Sequence, residues 1–298
     1  MDASFDRIDG AAVQKGHDTP PTPELGSPPP ASPVVLSVPH AGRDYPAGLR
    51  AALRLPDTAL LVLEDRHVDA LARAARTDET MLIQRRARAW IDLNRSEHDR
   101  DPRVDEGARP QAQSGQSAKV RSGLGLVPRR AGSAGDLWRG RFAGADIAER
   151  IARDHRPYHE ALAATLAAAR ARFGLAVLID IHSMPTIGPH ARLVLGDRFG
   201  ATSDVRFVAR MEAAAAQMGV PTQRNTPYAG AHILQRHAAP QRGIHAIQVE
   251  IDRALYLDAR HDALGPGFDH TAAVLRAMLA AVADEALPDD PPLALAAE

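Results

Sequence analysis

The 298-residue chain contains no cysteine. This excludes disulfides, thiolate zinc sites and cysteine nucleophiles, and leaves His, Asp and Glu as the side chains able to bind a metal. Aromatic residues are few, at 4% of the chain, and no apolar run is long enough to span a bilayer. Neither sign of charge predominates. The 36 basic and 37 acidic residues are mixed along the chain for a net charge of -1, so no overall field draws it to nucleic acid or an anionic membrane. The first residues, MDASFDRIDG, lack the basic start and apolar core of a signal peptide. The expectation is a soluble, cytoplasmic protein whose partners are small molecules rather than nucleic acid or membrane.

What the chain does have is 45% hydrophobic residues, enough for a full core, and thirteen histidines. Prolines in DTPPTPELGSPPPASP block helix and ladder hydrogen bonds, so residues 1–33 read as a disordered or extended leader. Residues 287–298 read as a flexible tail, and one folded unit is expected over 34–286.

Within that unit strands and helices alternate. Residues 34–38 (VVLSV) form a continuous apolar run suited to a buried parallel strand. Asp57 can cap a helix running on through LLVLEDRHVDALARAAR, with Glu64, Asp65 and Asp69 interrupting its apolar stripe. Strands are expected at 81–84 and 89–93, a long aperiodic loop at 96–142, and a helix at 143–173 with a break at Pro157. Then come AVLIDIHSMP at 176–185, a short strand at 192–195, a helix at 204–218, the loop NTPYAGAH, a strand at 244–251 and a helix at 270–287. This order predicts an α/β fold: a mixed, mostly parallel twisted sheet with helices on both faces.

In AVLIDIHSMP, Asp180 and His182 alternate with Ile179 and Ile181, so both polar side chains point to one face of the strand. A metal-bound imidazole needs an acceptor for its second nitrogen, which Asp180 can be; a buried Asp–His pair is the plainer alternative. His40 follows the first strand in PHAG, where Gly42 leaves room beside the backbone. Glu64, Asp65 and His67 can supply a further ligand or simply face solvent. Glu250 is either a general base or the wet face of a strand. His155 and His159, four apart on a helix, have Arg156 where a metal-binding helix carries Glu, and read as surface or packing residues. GLGLVP lacks the preceding strand of a nucleotide loop, and no Ser stands in a nucleophile elbow.

Taken in order, PHAGRDYP, LEDRHVD, IDLNR, DIHS, LGDRFG, YAGAHIL and HAIQVEI resemble the N-formylglutamate amidohydrolase family over roughly residues 34–285. The resemblance implies a fold of the phosphorylase/peptidase type, similar to zinc carboxypeptidases, with a mixed eight-stranded sheet. It also implies one divalent ion, preferentially Zn2+, bound by His40 and His182, with Asn94 and Arg95 on the substrate carboxylate and Glu250 as base. Arg43 stands where carboxypeptidases carry an acidic ligand, so Asp65 is taken as the third ligand, with Glu64 and His67 behind it. The implied reaction is hydrolysis of the formyl amide of N-formyl-L-glutamate to formate and L-glutamate, the last step of a histidine degradation route. A deacylase or carboxypeptidase-like hydrolase of another N-acyl amino acid, or a non-catalytic binder of small anions, are the alternatives. For the second substrate carboxylate Arg129, Arg130, Arg192 and Arg236 are candidates; Tyr228 or His232 can serve the oxyanion, and the 96–142 loop can close over the site.

Overall fold

A computed structural model of the chain describes residues 30–109, 117–132 and 135–287, so most of the expected leader and tail lies outside the described residues. Pro30 to Pro33, ahead of the expected boundary, already pack on the fold: Ser32 is buried, Pro33 O accepts from Val177 N at 2.9 Å and Pro30 O from Arg172 at 2.9 Å.

The strands are β1 (Val34–Val38), β2 (Thr80–Ile83), β3 (Ala176–Met184), β4 (Leu193–Gly196), β5 (Thr222–Arg224) and β6 (Ile244–Asp252). They form one sheet in the order β2-β1-β3-β6-β4-β5. The first four in that order run parallel, β4 is antiparallel to β6, and β5 is parallel to β4. The sheet is thus mixed and mostly parallel, as expected, with six strands among the described residues where the resemblance led to eight.

The helices are α1 (Ala47–Ala52), α2 (Val68–Ala75), α3 (Ala118–Arg121), α4 (Gly144–Arg150), α5 (Arg156–Phe173), α6 (Val205–Gln217), α7 (His232–His237) and α8 (Phe268–Ala286). Strand alternation divides the apolar residues into two cores. Val177, Ile179 and Ile181 of β3, with Ile247, Val249 and Ile251 of β6, meet α2, α6 and α8. On the other face Ala176, Leu178 and Ala246 meet α4, α5, α7 and the 89–142 region. Period-2 alternation therefore puts Asp180, His182, Gln248 and Glu250 on the α5 face.

Three expected elements differ. The helix expected from Asp57 stops as a 3-10 turn at Leu63, Glu64 is extended, and α2 restarts only after His67, which has a left-handed φ of 56°. Asp57 caps nothing there; the N-terminal position belongs to Pro56. The expected strand at 89–93 is a chain of turns, because Asp92 turns its backbone N–H to Leu126 O and its side chain to Asn94 N. Ala89, Ile91 and Leu93 are buried, in side-chain packing rather than a ladder. At Pro157 the helix does not break. A π turn over Ile151–His155 links α4 to α5, and Pro157 sits in the first turn of α5, where its missing N–H is tolerated.

Gly42 meets backbone, not a ligand. A Cβ there would lie 2.2 Å from Arg86 O and 2.5 Å from Arg85 O. Gly42→Ala should therefore push the 85–88 segment from the β1 turn and lower stability by about 1–3 kcal/mol. Gly48→Ala, with nothing within 4 Å of the added carbon, should not. Urea unfolding of the two variants checks the contrast.

Candidate active site

His40 leaves the end of β1, His182 lies near the end of β3, and Asp65 is delivered between them by the interruption before α2. The backbone holds it there: Asp65 N donates to His40 O at 3.0 Å. Asp65 Oδ2 stands 3.1 Å from His182 Nδ1 and 3.6 Å from His40 Nδ1, and the two rings meet edge-on with centroids 4.8 Å apart. All three residues are buried, at 2%, 3% and 3% exposure for His40, Asp65 and His182, so their polar atoms must find partners inside the protein. Their other atoms are already engaged. His40 Nε2 faces Asp92 Oδ1 at 2.8 Å, and His182 Nε2 faces Asp180 Oδ2 at 2.8 Å. Asp65 Oδ1 accepts from Ser183 Oγ at 3.0 Å.

Each imidazole thus has one nitrogen on a carboxylate and its Nδ1 turned toward Asp65. His40 Nδ1 is buried without a hydrogen-bond partner, and one ligand atom from each residue lies within 4.8 Å of the others. Two imidazoles fixed by carboxylates, with both Nδ1 atoms turned to Asp65 Oδ2, form a donor set suited to a divalent ion, with outer partners already in place.

Asp180 is not a bare anion. Its Oδ1 accepts from Ser37 Oγ at 2.7 Å, and Ser37 is 2.9 Å from the Tyr158 hydroxyl, so β1 and α5 both brace the carboxylate behind His182. Burial favours the neutral acid at Asp65, but hydrogen bonds and charge from His182 and His40 outweigh it and hold that carboxyl well below the usual range.

Glu250 is paired across the ladder with His182. Burial, with Asp65 and Asp180 nearby, pushes its carboxyl up to about 7 against the opposing pull of His182 and Arg88. Gln248 Nε2 donates to Glu250 Oε1 at 2.8 Å, and Gln248 Oε1 is 3.4 Å from Asn94 Nδ2. Asn94 Oδ1 accepts from Ile233 N at 2.9 Å, which fixes the amide between the sheet and α7.

Arg95 is buried beside Asn94, but its Nε donates to Leu124 O at 2.7 Å and its Nη1 to Asn94 O at 2.6 Å; Nη2 is 3.9 Å from Asp92. A two-pronged grip on a substrate through the Nε edge is therefore not the arrangement here. Tyr228 is half-exposed on the NTPYAGAH loop, and its hydroxyl senses Glu250 and Asp65. The loop is held down by LGDRFG: Asn225 exchanges hydrogen bonds with Asp197, at 3.0 Å from its N–H and 2.7 Å to its carboxylate.

Several sequence candidates lie elsewhere. Glu64 turns away to Tyr45 and Arg66, and His67 reaches Asp262 O at 2.9 Å on the surface. Arg129 pairs with Asp101 and Asp136, Arg130 with Asp136, and Arg192 with Asp252 at 2.7 Å. Arg236 is exposed on α7, and the His232 ring joins His155 and His159 instead of the His40–His182 pair.

Sequence reasoning passed over Arg88, Arg253 and Gln248, which the fold brings to the site, and Lys119, whose charge is felt there. Arg88 Nε donates to Asp92 Oδ2 at 2.8 Å, and the charges of Asp92, Asp65 and Glu250 raise its pKa against the effect of burial. Arg253 donates to Ser183 Oγ at 3.0 Å and reaches Asp65 Oδ1 at 3.4 Å. Lys119 is exposed on α3; partial desolvation of its ammonium, with the charges of Arg95 and Arg88, lowers its pKa while Asp92 and Glu250 oppose that shift. Gln248 had a readable signal, since it shares the face of Glu250 two residues on. Arg88, Arg253 and Lys119 had none.

The N-formylglutamate amidohydrolase family model matches residues 32–257, which contain every residue of this centre. The chain belongs to that family. An N-formylglutamate deformylase of Pseudomonas aeruginosa is 30% identical over 236 residues, covering 76% of this chain and 82% of the relative. One from Pseudomonas putida is 28% identical over 241 residues, with the same two shares. The crystal structure of N-formylglutamate amidohydrolase from Ralstonia eutropha JMP134 superposes with a TM-score of 0.76 at 31% identity, covering 87% of this chain and 94% of that one. No helix among the described residues is long and apolar enough to cross a membrane.

Asp92 is the carboxylate on which Arg88, His40 and, at 3.9 Å, Arg95 converge, and it is wholly buried. Asp92→Ala would leave Arg88 and His40 without it, at a cost of about 3–5 kcal/mol in folding free energy. The measurement is chemical denaturation of the variant against wild type.

Proposed function

We propose that this chain hydrolyses the formyl amide of N-formyl-L-glutamate to formate and L-glutamate, in a route of histidine breakdown. The observation that carries the reading is the convergence of His40 Nδ1, His182 Nδ1 and Asp65 Oδ2 next to Glu250, in a chain of this family. A divalent ion held by those three residues, with zinc the best match to N and O donors, would supply Lewis acidity at the formyl oxygen and a lowered pKa for water.

The chain's own residues account for the rest. Glu250 takes a proton from the attacking water and returns it to the amide nitrogen as the C–N bond breaks, because an amide anion is too basic to leave unaided. A carboxyl pushed up to about 7 suits both halves of that exchange. Gln248 keeps the carboxylate aimed. Arg88 and Tyr228 are the groups that can meet developing negative charge, in place of His232.

For the substrate's α-carboxylate, Asn94 offers a directional bond and Arg95 its Nη2 end. The second carboxylate falls to Lys119, the cation on α3 that shares the field of Arg95, Arg88, Asp92 and Glu250. Arg129, Arg130 and Arg192 are already neutralised by the acids they pair with.

Glu250→Gln should keep its bound metal and lose turnover by about 100- to 10,000-fold. Metal content measured beside kcat tests this; a near-normal rate would remove Glu250 from the mechanism. Chelation should abolish turnover of N-formylglutamate, and zinc should restore it. A protein that turns over without metal, or binds the substrate without turnover in zinc, would sink the metal hydrolase reading. Lys119→Met should raise KM for N-formylglutamate by about 10- to 100-fold, the loss of one charge-assisted hydrogen bond, and change little for N-formylalanine. If N-formylglutamate were among the poorest of several N-acyl amino acids tested, the substrate assignment would fall and the alternative deacylase would stand.

A further inference from the structure

His155 and His159 are not surface residues: both are wholly buried on the inner face of α5 and the π turn before it. α7 brings His232 against them, with ring centroids 5.4 Å from His159 and 6.1 Å from His155, which are themselves 4.4 Å apart. One nitrogen from each lies within 4.8 Å of the other two.

The nitrogens can be assigned one at a time. His155 Nε2 is 2.8 Å from Arg95 O and His159 Nε2 is 3.0 Å from Leu93 O, so both must carry the proton, since a carbonyl only accepts. Each Nδ1 is then a lone pair. That of His159 faces His237 Nε2 at 2.8 Å. That of His155 is buried with no hydrogen-bond partner, and so is Nε2 of His232. A single unsatisfied buried nitrogen costs about 1–3 kcal/mol, and two in one pocket are hard to explain by packing. Burial also lowers the pKa of these rings, that of His232 to about 4, which leaves them in the neutral form that binds metal.

We propose that His155, His159 and His232 form a second transition-metal site, distinct from the centre of His40, Asp65 and His182. His155 Nδ1 and His232 Nε2 ligate directly, and His159 Nδ1 does so once His237 releases it. The Glu97 carboxylate lies 3.7 Å from His155 Nδ1 and is paired with Arg156 at 2.9 Å, so it can join as a fourth ligand only by sharing that pairing. Imidazole nitrogen selects zinc, nickel or copper over calcium and magnesium. The two Nε2–H bonds to backbone carbonyls are the outer partners that metal-bound histidines require. Arg236 opposes a cation here, but it is exposed and its charge is screened by solvent. Since the carbonyls belong to Leu93 and Arg95, an ion at this site would tie α5 and α7 to the turn that carries Asn94.

The test is metal stoichiometry. The full-length chain is stripped with chelator, dialysed against Zn2+ and analysed by mass spectrometry, beside the variants His182→Ala and His232→Gln. Two equivalents in wild type, one in each variant, is the expected result. One equivalent in wild type that is lost in His182→Ala overturns the proposal, and so does a second equivalent that survives His232→Gln. If His232→Gln fails to fold, the pair of wild type and His182→Ala still decides: a second site leaves one equivalent in His182→Ala, and its absence leaves none.

Discussion

Asp65, Asp92, Asp180 and Glu250, all nine-tenths or more buried, are gathered at one end of the sheet around two imidazoles, and most of the local structure can be understood as the way they are kept there. Burying a charge without compensation is prohibitive, so each carboxylate must be hydrogen-bonded, paired or protonated. Asp180 has Ser37 and His182, Asp92 has Arg88, His40 and Asn94 N–H, and Asp65 has Ser183, Arg253 and the two imidazoles. Glu250 has only the Gln248 amide as a close partner, and it is the one whose carboxyl is pushed toward neutrality. The gradient from fully paired to barely paired sets Glu250 apart from the other three acids.

What the sequence reveals follows physical range. Strand alternation is local, and period 2 in AVLIDIHSMP and HAIQVEI was enough to put Asp180 with His182 and Gln248 with Glu250 on one face, as the ladder confirms. Gly174 and Asp204 end and begin helices as their residue types require. The failures lie where a long-range partner overrides local preference. Residues 57–76 have a helical stripe throughout, yet His67 adopts a left-handed conformation and Glu64 an extended one, and only this break lets Asp65 bond to His40 O. Residues 89–93 alternate like a strand, but Asp92 spends its hydrogen bonds on Leu126, Asn94 and Arg88.

The same distinction holds for the candidate site. Motifs single out His40, His182 and Glu250, which the fold brings together, whereas Asp65 stands in the sequence only as one acid among neighbours. Arg88 and Lys119 were not, since an arginine or lysine in a basic stretch carries no sign of which carboxylates the fold will put beside it. For His155 and His159 the choice between surface and packing was open for a related reason. Helical spacing says that two rings share a face, but only the packing of α7 says that the face is buried.

The turn-built 88–95 segment separates two duties in this enzyme. Residues in the sheet, on β3 and β6, are fixed by a ladder that cannot move one side chain without moving its neighbours. The turns that carry Asn94 and Arg95 are anchored by a handful of side-chain bonds instead, and α3 carries a cap from its own Ser117. On the proposed roles, such a layout lets the recognised acid change through substitutions in the turns while Glu250 and its neighbours on the strands stay in register. Within a family of shared chemistry, divergence of substrate should therefore concentrate in residues 88–124 and spare the strands.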